Sequence, residues 1–270
     1  MYSSGLVTLD ALLLGGYPPG ITEVFGETGT GGTSLCAAAM KCAARAERPC
    51  LFIHVTPVDK QRLLHLGVPR TTPVLHCVDW ETTQAAVLGI MRNMRGVLVV
   101  LDGFSAMETY AELSTPLTED APRNEAGNKY RLIRDLAEVA RETGSTVLAV
   151  SEARAVLGRR GIRSAMSGVN AYITLQLKLT QLETRLEYEK LHHKKIQVDV
   201  TRSKTIPPGG TSHLYLFGDR GFDPYFDMLK FFVRTGAAVR KGSYWILDTG
   251  ERLGPGYETA ARQLEDQCER

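Results

Sequence analysis

The residues best suited to chemistry lie in a glycine-rich stretch that follows a β-branched run. Residues 26–33 have the sequence G-E-T-G-T-G-G-T, which matches the phosphate-binding pattern G-x-x-x-x-G-K-[ST] at every defined position except the lysine, where Gly32 stands. Such a loop presents backbone N–H groups and a helix N-terminus to phosphate oxygens, and Thr33 would offer its hydroxyl to Mg²⁺. The residues assigned to this phosphate site are Gly26, Glu27, Thr28, Gly29, Thr30, Gly31, Gly32, Thr33 and Ser34.

The missing lysine predicts weak phosphate binding. A lysine ammonium about 4 Å from a phosphate charge contributes up to ~4 kcal/mol at an effective dielectric constant of about 20, which is roughly a thousandfold in affinity. The backbone N–H donors are still present without the lysine, so the loop keeps part of its capacity to bind phosphate. The alternative is that residues 26–33 form only a tight turn between a strand and a helix.

A candidate metal ligand follows an apolar run later in the chain. VLVVLD ends in Asp102, which would lie at the carboxyl end of a buried strand beside the loop. Proteins with phosphate loops hold their Mg²⁺-coordinating aspartate at this place. Apolar strands that end in aspartate are common, so the assignment depends on the loop as well. Thr33 and Asp102 are the predicted Mg²⁺ ligands.

The segments around these residues alternate between strand and helix patterns. The β-branched run at 21–26 predicts a strand. Apolar runs with the character of strands buried on both faces of a sheet occur at 50–55, 97–102 and 146–151. Helical stretches are expected at 34–46, 60–66, 82–94 and 128–143. This alternation predicts an α/β fold with a mostly parallel sheet and helices on both faces.

The pattern changes after about residue 169. Alternating stretches at 171–179 and 196–202 predict a hairpin on the sheet edge, joined by a charged linker. His192, His193, Lys194 and Lys195 belong to this linker; they could form a metal or phosphate site, although adjacent histidines in an exposed turn are more often unliganded. From residue 223 onward, an amphipathic helix, a short strand pair and a closing helix follow. We therefore divide the chain into a core at 1–222 and a small α+β domain at 223–270.

The composition, with 43% hydrophobic and 23% charged residues, is that of an ordinary globular protein. The formal net charge is only +2, so a nucleic-acid role would depend on local basic clusters. Five cysteines without a C-x-x-C pair fit a cytoplasmic protein. The first residues lack a signal-peptide pattern, and no apolar stretch approaches the ~18 residues that span a bilayer, so we expect no membrane partner.

The sequence resembles the RecA, RadA and phage UvsX recombinase core over nearly all of its length. LDALLLGGYPPGITEVFGETGTGGTSL is similar to the opening of that core, and CLFIH, VLVVLDGFSAM and TVLAVSEAR follow at the family's spacing. VTRSKTIPP is similar to a further family segment, and LKFFVRTGAAVRKGSYWILDTGERLGPG looks like the small RecA tail domain. The resemblance implies a RecA-like core, ATP and Mg²⁺ as ligands, and DNA-dependent ATPase and strand-exchange activity in recombination or repair.

Three positions depart from the family's pattern. Gly32 replaces the loop lysine, and the family's catalytic glutamate falls at Thr56, whose hydroxyl cannot act as a base near neutral pH. The glutamine of the sensing strand falls at Glu152. The sequence also opens almost at the core, so we expect it to lack the helix and strand with which family protomers dock on each other. The resemblance therefore implies a degenerate ATP site.

Two basic residues keep the family's pattern. By resemblance, Arg202 and Lys204 reach across a protomer interface to the γ-phosphate of a neighbour's ATP. They imply a homo-oligomer, or a mixed filament with a recombinase whose phosphate loop is intact. The alternative is that both are solvated charges after a hairpin strand.

The family's second DNA loop corresponds to residues 153–170. This segment holds four arginines and no acidic residue, as expected of a groove that follows a single-stranded backbone. The candidate DNA-binding residues are Arg154, Arg159, Arg160 and Arg163. The first loop, 107–129, is acidic in its early part. In the tail domain Arg240, Lys241 and Arg252 would offer a duplex-DNA surface, and Tyr244 and Trp245 would form the core.

Three functions are compatible with these features. The first is a divergent recombinase-family protein, of phage or bacterial type, that binds single-stranded DNA with salt-dependent affinity. The second is a working DNA-dependent ATPase in which a basic residue of a neighbouring protomer replaces the loop lysine. The third is a scaffold that keeps the fold for protein contacts alone.

Overall fold

The computed structural model describes residues 1–55, 58–114, 125–155, 162–163, 167–187 and 190–268. Its helices are α1 Val7–Leu12, α2 Gly32–Arg45, α3 Lys60–His65, α4 Trp80–Asn93, α5 Tyr110–Ser114, α6 Glu125–Thr143, α7 Pro224–Thr235 and α8 Gly256–Cys268. Its strands are β1 Gly20–Gly26, β2 Cys50–His54, β3 Val74–His76, β4 Leu98–Asp102, β5 Thr146–Glu152, β6 Arg154–Ala155, β7 Ile162–Arg163, β8 Ile173–Glu187, β9 Lys190–Ser203, β10 Thr211–Phe217, β11 Gly221–Phe222, β12 Ala238–Lys241, β13 Tyr244–Leu247 and β14 Arg252–Pro255.

A nine-stranded sheet organises the larger part of the chain. Its strand order is β11-β10-β9-β8-β1-β5-β4-β2-β3. The strands from β8 to β3 run parallel, whereas β9, β10 and β11 are antiparallel to their neighbours. The predicted α/β class with a mostly parallel sheet is therefore confirmed.

Each central strand buries side chains on both faces, as its apolar run predicts. Val24, Phe52 and Val100 join a cluster with α2 on one face, whereas Ile21 and Val99 join a cluster with α4 and α6 on the other. Successive side chains of a strand point to opposite faces, so an unbroken apolar run fills two cores at once. The parallel strands consequently end at one common sheet edge, where β1 leads into α2.

The predicted hairpin is much longer than its two apolar stretches. β8 has 15 residues and β9 has 14, and the segment expected to be a linker lies inside β9. Lys195 pairs with Glu183 and Lys194 pairs with Thr184 in the antiparallel ladder. Cross-strand pairs of this kind stabilise a ladder even where its side chains are polar. The charged residues therefore continue the two strands and do not end them. The expectation of an edge hairpin was also wrong, because β10 and β11 continue the sheet beyond β9.

The C-terminal segment forms its own three-stranded sheet, β12-β13-β14, between α7 and α8, where only a strand pair was expected. Asp223 caps α7 by accepting hydrogen bonds from the N–H groups of Tyr225 and Phe226, and Pro224 occupies the first turn. Trp245 is buried in the aromatic cluster of this unit, as predicted, and Tyr244 is half-buried. The division at residue 223 stays a prediction, since this cluster also includes Phe217 of β10.

A buried carboxylate joins the two parts of the chain. Asp227 on α7 accepts a hydrogen bond of 2.8 Å from the backbone N–H of Thr8. Burial raises the pKa of Asp227 to about 6, and the hydrogen bonds from Thr8 oppose that rise. In the part of the chain that the structure describes, no helix combines the length and apolar character needed to cross a membrane.

Candidate nucleotide site

The glycine-rich loop connects the buried end of β1 to the first turn of α2. Gly29 and Gly31 adopt φ angles of +83° and +96°, in the left-handed region that favours glycine. A side chain at position 31 would also meet Leu216 at 2.9 Å. The hydroxyl and backbone N–H of Thr30 both donate to the carbonyl of Glu27, at 2.7 and 3.1 Å. These contacts fix a tight loop that leads into the N-terminus of α2.

A cavity of about 470 Å³ lies at the loop, within the usual range of ligand sites. It is lined by all the residues of the predicted phosphate site, together with Asp102, Ser105 and Glu152. The loop's free N–H groups and the helix N-terminus favour an anion at this place. The chemistry of the lining therefore fits the phosphates of a nucleotide.

The predicted metal ligands lie side by side. The hydroxyl of Thr33 donates a hydrogen bond of 2.8 Å to a carboxylate oxygen of Asp102, which is 8% exposed. Burial raises the pKa of Asp102, whereas the hydrogen bonds from Thr33 and Gly103 and the charge of His54 lower it. A hydroxyl and a carboxylate are oxygen ligands of the kind that Mg²⁺ prefers, with phosphate and water completing its shell. The described residues contain no group of three acidic, histidine or cysteine side chains that could hold a metal ion alone.

The position of the absent lysine is crowded by a neighbour. A Cβ atom added at Gly32 would lie 2.8 Å from Cγ1 of Val150, a separation that real Cβ atoms essentially never show. The backbone of Gly32 does not require glycine, because it begins α2 with ordinary helical geometry. A side chain at position 32 would therefore require Val150 on β5, or the start of α2, to shift. No feature of the loop sequence pointed to this residue.

Glu152 contacts the loop from the end of β5. Its side chain accepts a hydrogen bond of 3.1 Å from the hydroxyl of Thr28, and its backbone N–H donates to Ser105 at 3.3 Å. The next residue, Ala153, donates to the carbonyl of Gly26 at 2.9 Å. The end of β5, which carries the predicted sensor position, is thus hydrogen-bonded to the loop at both Thr28 and Gly26.

Two further cations border the loop. Arg62 was missed as a site residue, and Lys194 was considered only as part of a metal or phosphate site in the expected linker. Nζ of Lys194 donates a hydrogen bond of 3.1 Å to the carbonyl of Gly29, and Arg62 on α3 lines the loop cavity. The signal for Lys194 was available, because it lies at even spacing from Ile196, Val198 and the other core residues of β9. The interpretation of this segment as a linker concealed that spacing.

Arg202 and Lys204 lie at the other end of β9. Arg202 pairs with Gln176 of β8, which is aligned with Glu23 of β1. Its backbone therefore lies three residues, or about 10 Å along the strand, before the level at which β1 enters the loop. Nζ of Lys204 donates to the carbonyl of Ala171, and burial lowers its pKa with help from the charges of Arg141 and Arg202. The structure therefore does not bring these two cations to the loop of their own chain.

The predicted DNA-binding arginines are described in part. Arg154 pairs with Arg163 in the two-stranded β6–β7 ladder, which follows Glu152 directly. Arg159, Arg160 and the predicted catalytic position Thr56 lie outside the described residues.

The adjacent histidines join the core to the C-terminal unit instead of forming an exposed turn. Nε2 of His192 lies 2.8 Å from Oε1 of Glu258 on α8. The ring of His193 packs against Tyr215, Phe217 and Phe226, and its burial lowers its pKa. On the tail surface, the guanidinium of Arg252 lies 3.5 Å from the ring centre of Tyr244.

A glycine loop between a buried strand and a helix, above a hydroxyl–carboxylate pair on a mostly parallel sheet, defines a P-loop protein of the α/β class. The chain belongs to the RecA family, since the model described as the RecA N-terminal domain matches residues 1–223. This membership confirms the resemblance and assigns the chain to the recombinase proteins of DNA recombination and repair.

Individual relatives are distant in sequence but cover most of the chain. Protein RecA of Prochlorococcus marinus (strain MIT 9303) is 24% identical over 275 residues, which cover 99% of this chain and 72% of that protein. Protein RecA of Sulfurovum sp. (strain NBC37-1) is 23% identical over 273 residues, covering 98% and 78%. The crystal structure of the RadB recombinase shares the fold, with a TM-score of 0.59 and 17% identity, and covers 82% of this chain and 98% of that one.

Proposed function

We propose that this RecA-family protein binds single-stranded DNA and carries a degenerate site for ATP and Mg²⁺. The observation that supports the proposal most is the placement of the arginine segment. The Arg154–Arg163 ladder begins two residues after Glu152, whose side chain contacts Thr28 of the phosphate loop. A basic segment anchored beside a phosphate loop suits a protein whose DNA affinity responds to nucleotide.

The degenerate character of the site follows from its residues. Gly32 removes the loop cation, and Val150 lies 2.8 Å from the position of a Cβ there. Thr33 and Asp102 retain the oxygen ligands for Mg²⁺. Mg²⁺ bound there would neutralise phosphate charge, and Thr33, Asp102 and the loop N–H groups would hold and orient the phosphates. We expect weak nucleotide binding and slow hydrolysis or none, because Thr56 offers no base.

A neighbouring RecA-type protomer is the partner that the remaining basic residues suit. Arg202 and Lys204 lie toward the end of β9 away from Lys194 and its contact with the loop, which suits a γ-phosphate that a second chain brings to them. We therefore propose a homo-oligomer or a mixed filament on DNA, in the cytoplasm of a bacterial or phage-infected cell. Duplex DNA is the ligand proposed for Arg240, Lys241 and Arg252 of the tail.

The test is a fluorescence-anisotropy titration of labelled oligo-dT with the full chain at two salt concentrations, with and without ATP and Mg²⁺. We expect Arg154→Ala/Arg163→Ala to lower the magnitude of the salt slope by about 1.4, because each phosphate contact on a single strand contributes about 0.7. Arg92→Ala/Arg95→Ala removes two exposed arginines at the end of α4 and serves as the matched control.

Each result has a definite meaning. A loss specific to the Arg154 and Arg163 pair supports the DNA site, and tightening with ATP supports coupling to the loop. ATP turnover that rises with DNA would favour the working ATPase. Absence of DNA binding under every condition would refute the proposal and favour the scaffold, whose stable partner a pull-down would recover.

A further inference from the structure

Lys194 occupies a special place on β9 because of strand alternation. It lies on the same strand face as Ile196, Val198 and Val200, which pack in the core cluster that contains α2. Lys195 is one residue further and faces the other way, where its Nζ lies 3.6 Å from Glu183. The face that buries apolar side chains along most of β9 therefore presents a cation at the level of the phosphate loop.

The contact of Lys194 is made with the loop itself. Its Nζ donates to the carbonyl of Gly29 at 3.1 Å and lies 3.5 Å from the point where a Cβ of Gly29 would be. A second cavity, of about 320 Å³, is lined by Lys194, Arg62 and the loop residues from Gly31 to Ser34, and it shares those loop residues with the larger cavity. An ammonium has three donors, so the bond to Gly29 leaves two that can reach a ligand.

We infer that Lys194 supplies, from the same chain, the positive charge that the phosphate loop lacks at Gly32, so that the site accepts a nucleoside polyphosphate. The inference rests on the ATP site of the proposed function and names the residue that makes it usable. This cation differs from one donated by a neighbouring protomer, because Lys194 contacts Gly29 within the same chain.

The flexibility of the lysine side chain and the firm placement of β9 support a role for Lys194 in place of the absent loop lysine. The four-carbon side chain of lysine is flexible, so an ammonium held on Gly29 can turn toward a phosphate one or two residues along the loop. Val150 crowds the position of a Cβ at residue 32, whereas β9 is held by pairing on both sides, with β8 and β10. Arg62, whose guanidinium donates to the carbonyl of Asp219, adds a second cation at the rim of the cavity.

The experiment measures binding of a fluorescent N-methylanthraniloyl ATP, with Mg²⁺, to the full chain and to three variants. We expect Lys194→Met to weaken binding at least tenfold, about 1.4 kcal/mol. Lys195→Met is the matched control and should bind like the parent chain, and Lys194→Arg should recover part of the affinity. Thermal unfolding of each variant without nucleotide verifies that all of them fold.

Equal affinity of the Lys194→Met and Lys195→Met variants would overturn the inference, and so would absence of nucleotide binding by the parent chain at millimolar concentration. Nucleotide binding that survives Lys195→Met and not Lys194→Met supports it. The oligo-dT titration is independent of this assay. Failure of DNA binding with an intact Lys194 effect would refute the DNA role alone.

Discussion

Restoring the loop lysine is a direct test of the packing around position 32. In Gly32→Lys, the new Cβ would lie 2.8 Å from Cγ1 of Val150, so Val150 or the helix must move. Overpacking of this kind costs about 1–3 kcal/mol, and the better helix propensity of lysine returns at most about 1 kcal/mol. We expect a net loss of ~1–2 kcal/mol in the free energy of unfolding, although lysine is the residue that the motif prefers.

Removing the obstructing side chain should relieve the clash, although the removal has a cost of its own. Val150→Ala alone costs at most about 1.6 kcal/mol, because it removes two carbon groups of a partly buried side chain, and each contributes about 0.8 kcal/mol when it is fully buried. In Gly32→Lys/Val150→Ala the clash disappears, so the double variant should be more stable than the sum of the single effects by about 1 kcal/mol or more.

Urea unfolding of the four chains, followed by far-UV circular dichroism, gives this coupling energy. Gly89→Lys is the matched control, because Gly89 is an exposed glycine inside α4 with no atom within 4 Å of its Cβ position. That variant should gain up to about 1 kcal/mol. Additive effects at positions 32 and 150, within about 0.5 kcal/mol, would refute the packing argument.

Three further changes test other parts of the structure. Gly31→Ala should destabilise the chain by about 2 kcal/mol or more in urea unfolding, because φ is +96° and Leu216 lies 2.9 Å from the added carbon; a neutral result would contradict the loop conformation. Thr33→Val should cost about 1–3 kcal/mol, because it leaves the buried Asp102 carboxylate without its hydroxyl donor, and it should also remove the Mg²⁺ dependence of nucleotide binding. The pKa of Asp227 is raised to about 6, above its unfolded value, so its contribution is fully present below pH ~4 and is lost as the pH rises through 6. Asp227→Asn should flatten that part of a stability–pH curve measured by urea unfolding, and an unchanged curve would disprove the assignment.

The parallel core was predictable because its strands are short and mostly apolar. The runs that end at Gly26, His54, Asp102 and Glu152 bury both faces and alternate with helical stretches, a pattern typical of a parallel sheet. The loop and the Thr33–Asp102 pair followed from the same pattern, since parallel strands end at one edge.

The rest of the site was predictable only in part, because it depends on pairing between distant segments. Lys194 lies in a charged run that resembles a turn when considered alone, and only its ladder with β8 and β10 makes it part of a strand. Val150 looks like any apolar strand residue, and its contact with position 32 depends on the register of β1 with β5. Sequence identifies the elements, whereas the register between them decides which side chains meet.

The alternation along β9 has a consequence for how the site is kept in place. Lys194 faces the phosphate loop and His193 faces the aromatic cluster of the C-terminal unit, so a slip of one residue would exchange the two side chains. The imidazole of His193 packs against the rings of Phe217 and Phe226. The packing of His193 against the C-terminal unit therefore fixes the register of β9. This register places the next side chain, Lys194, at the phosphate loop on the opposite face of the strand.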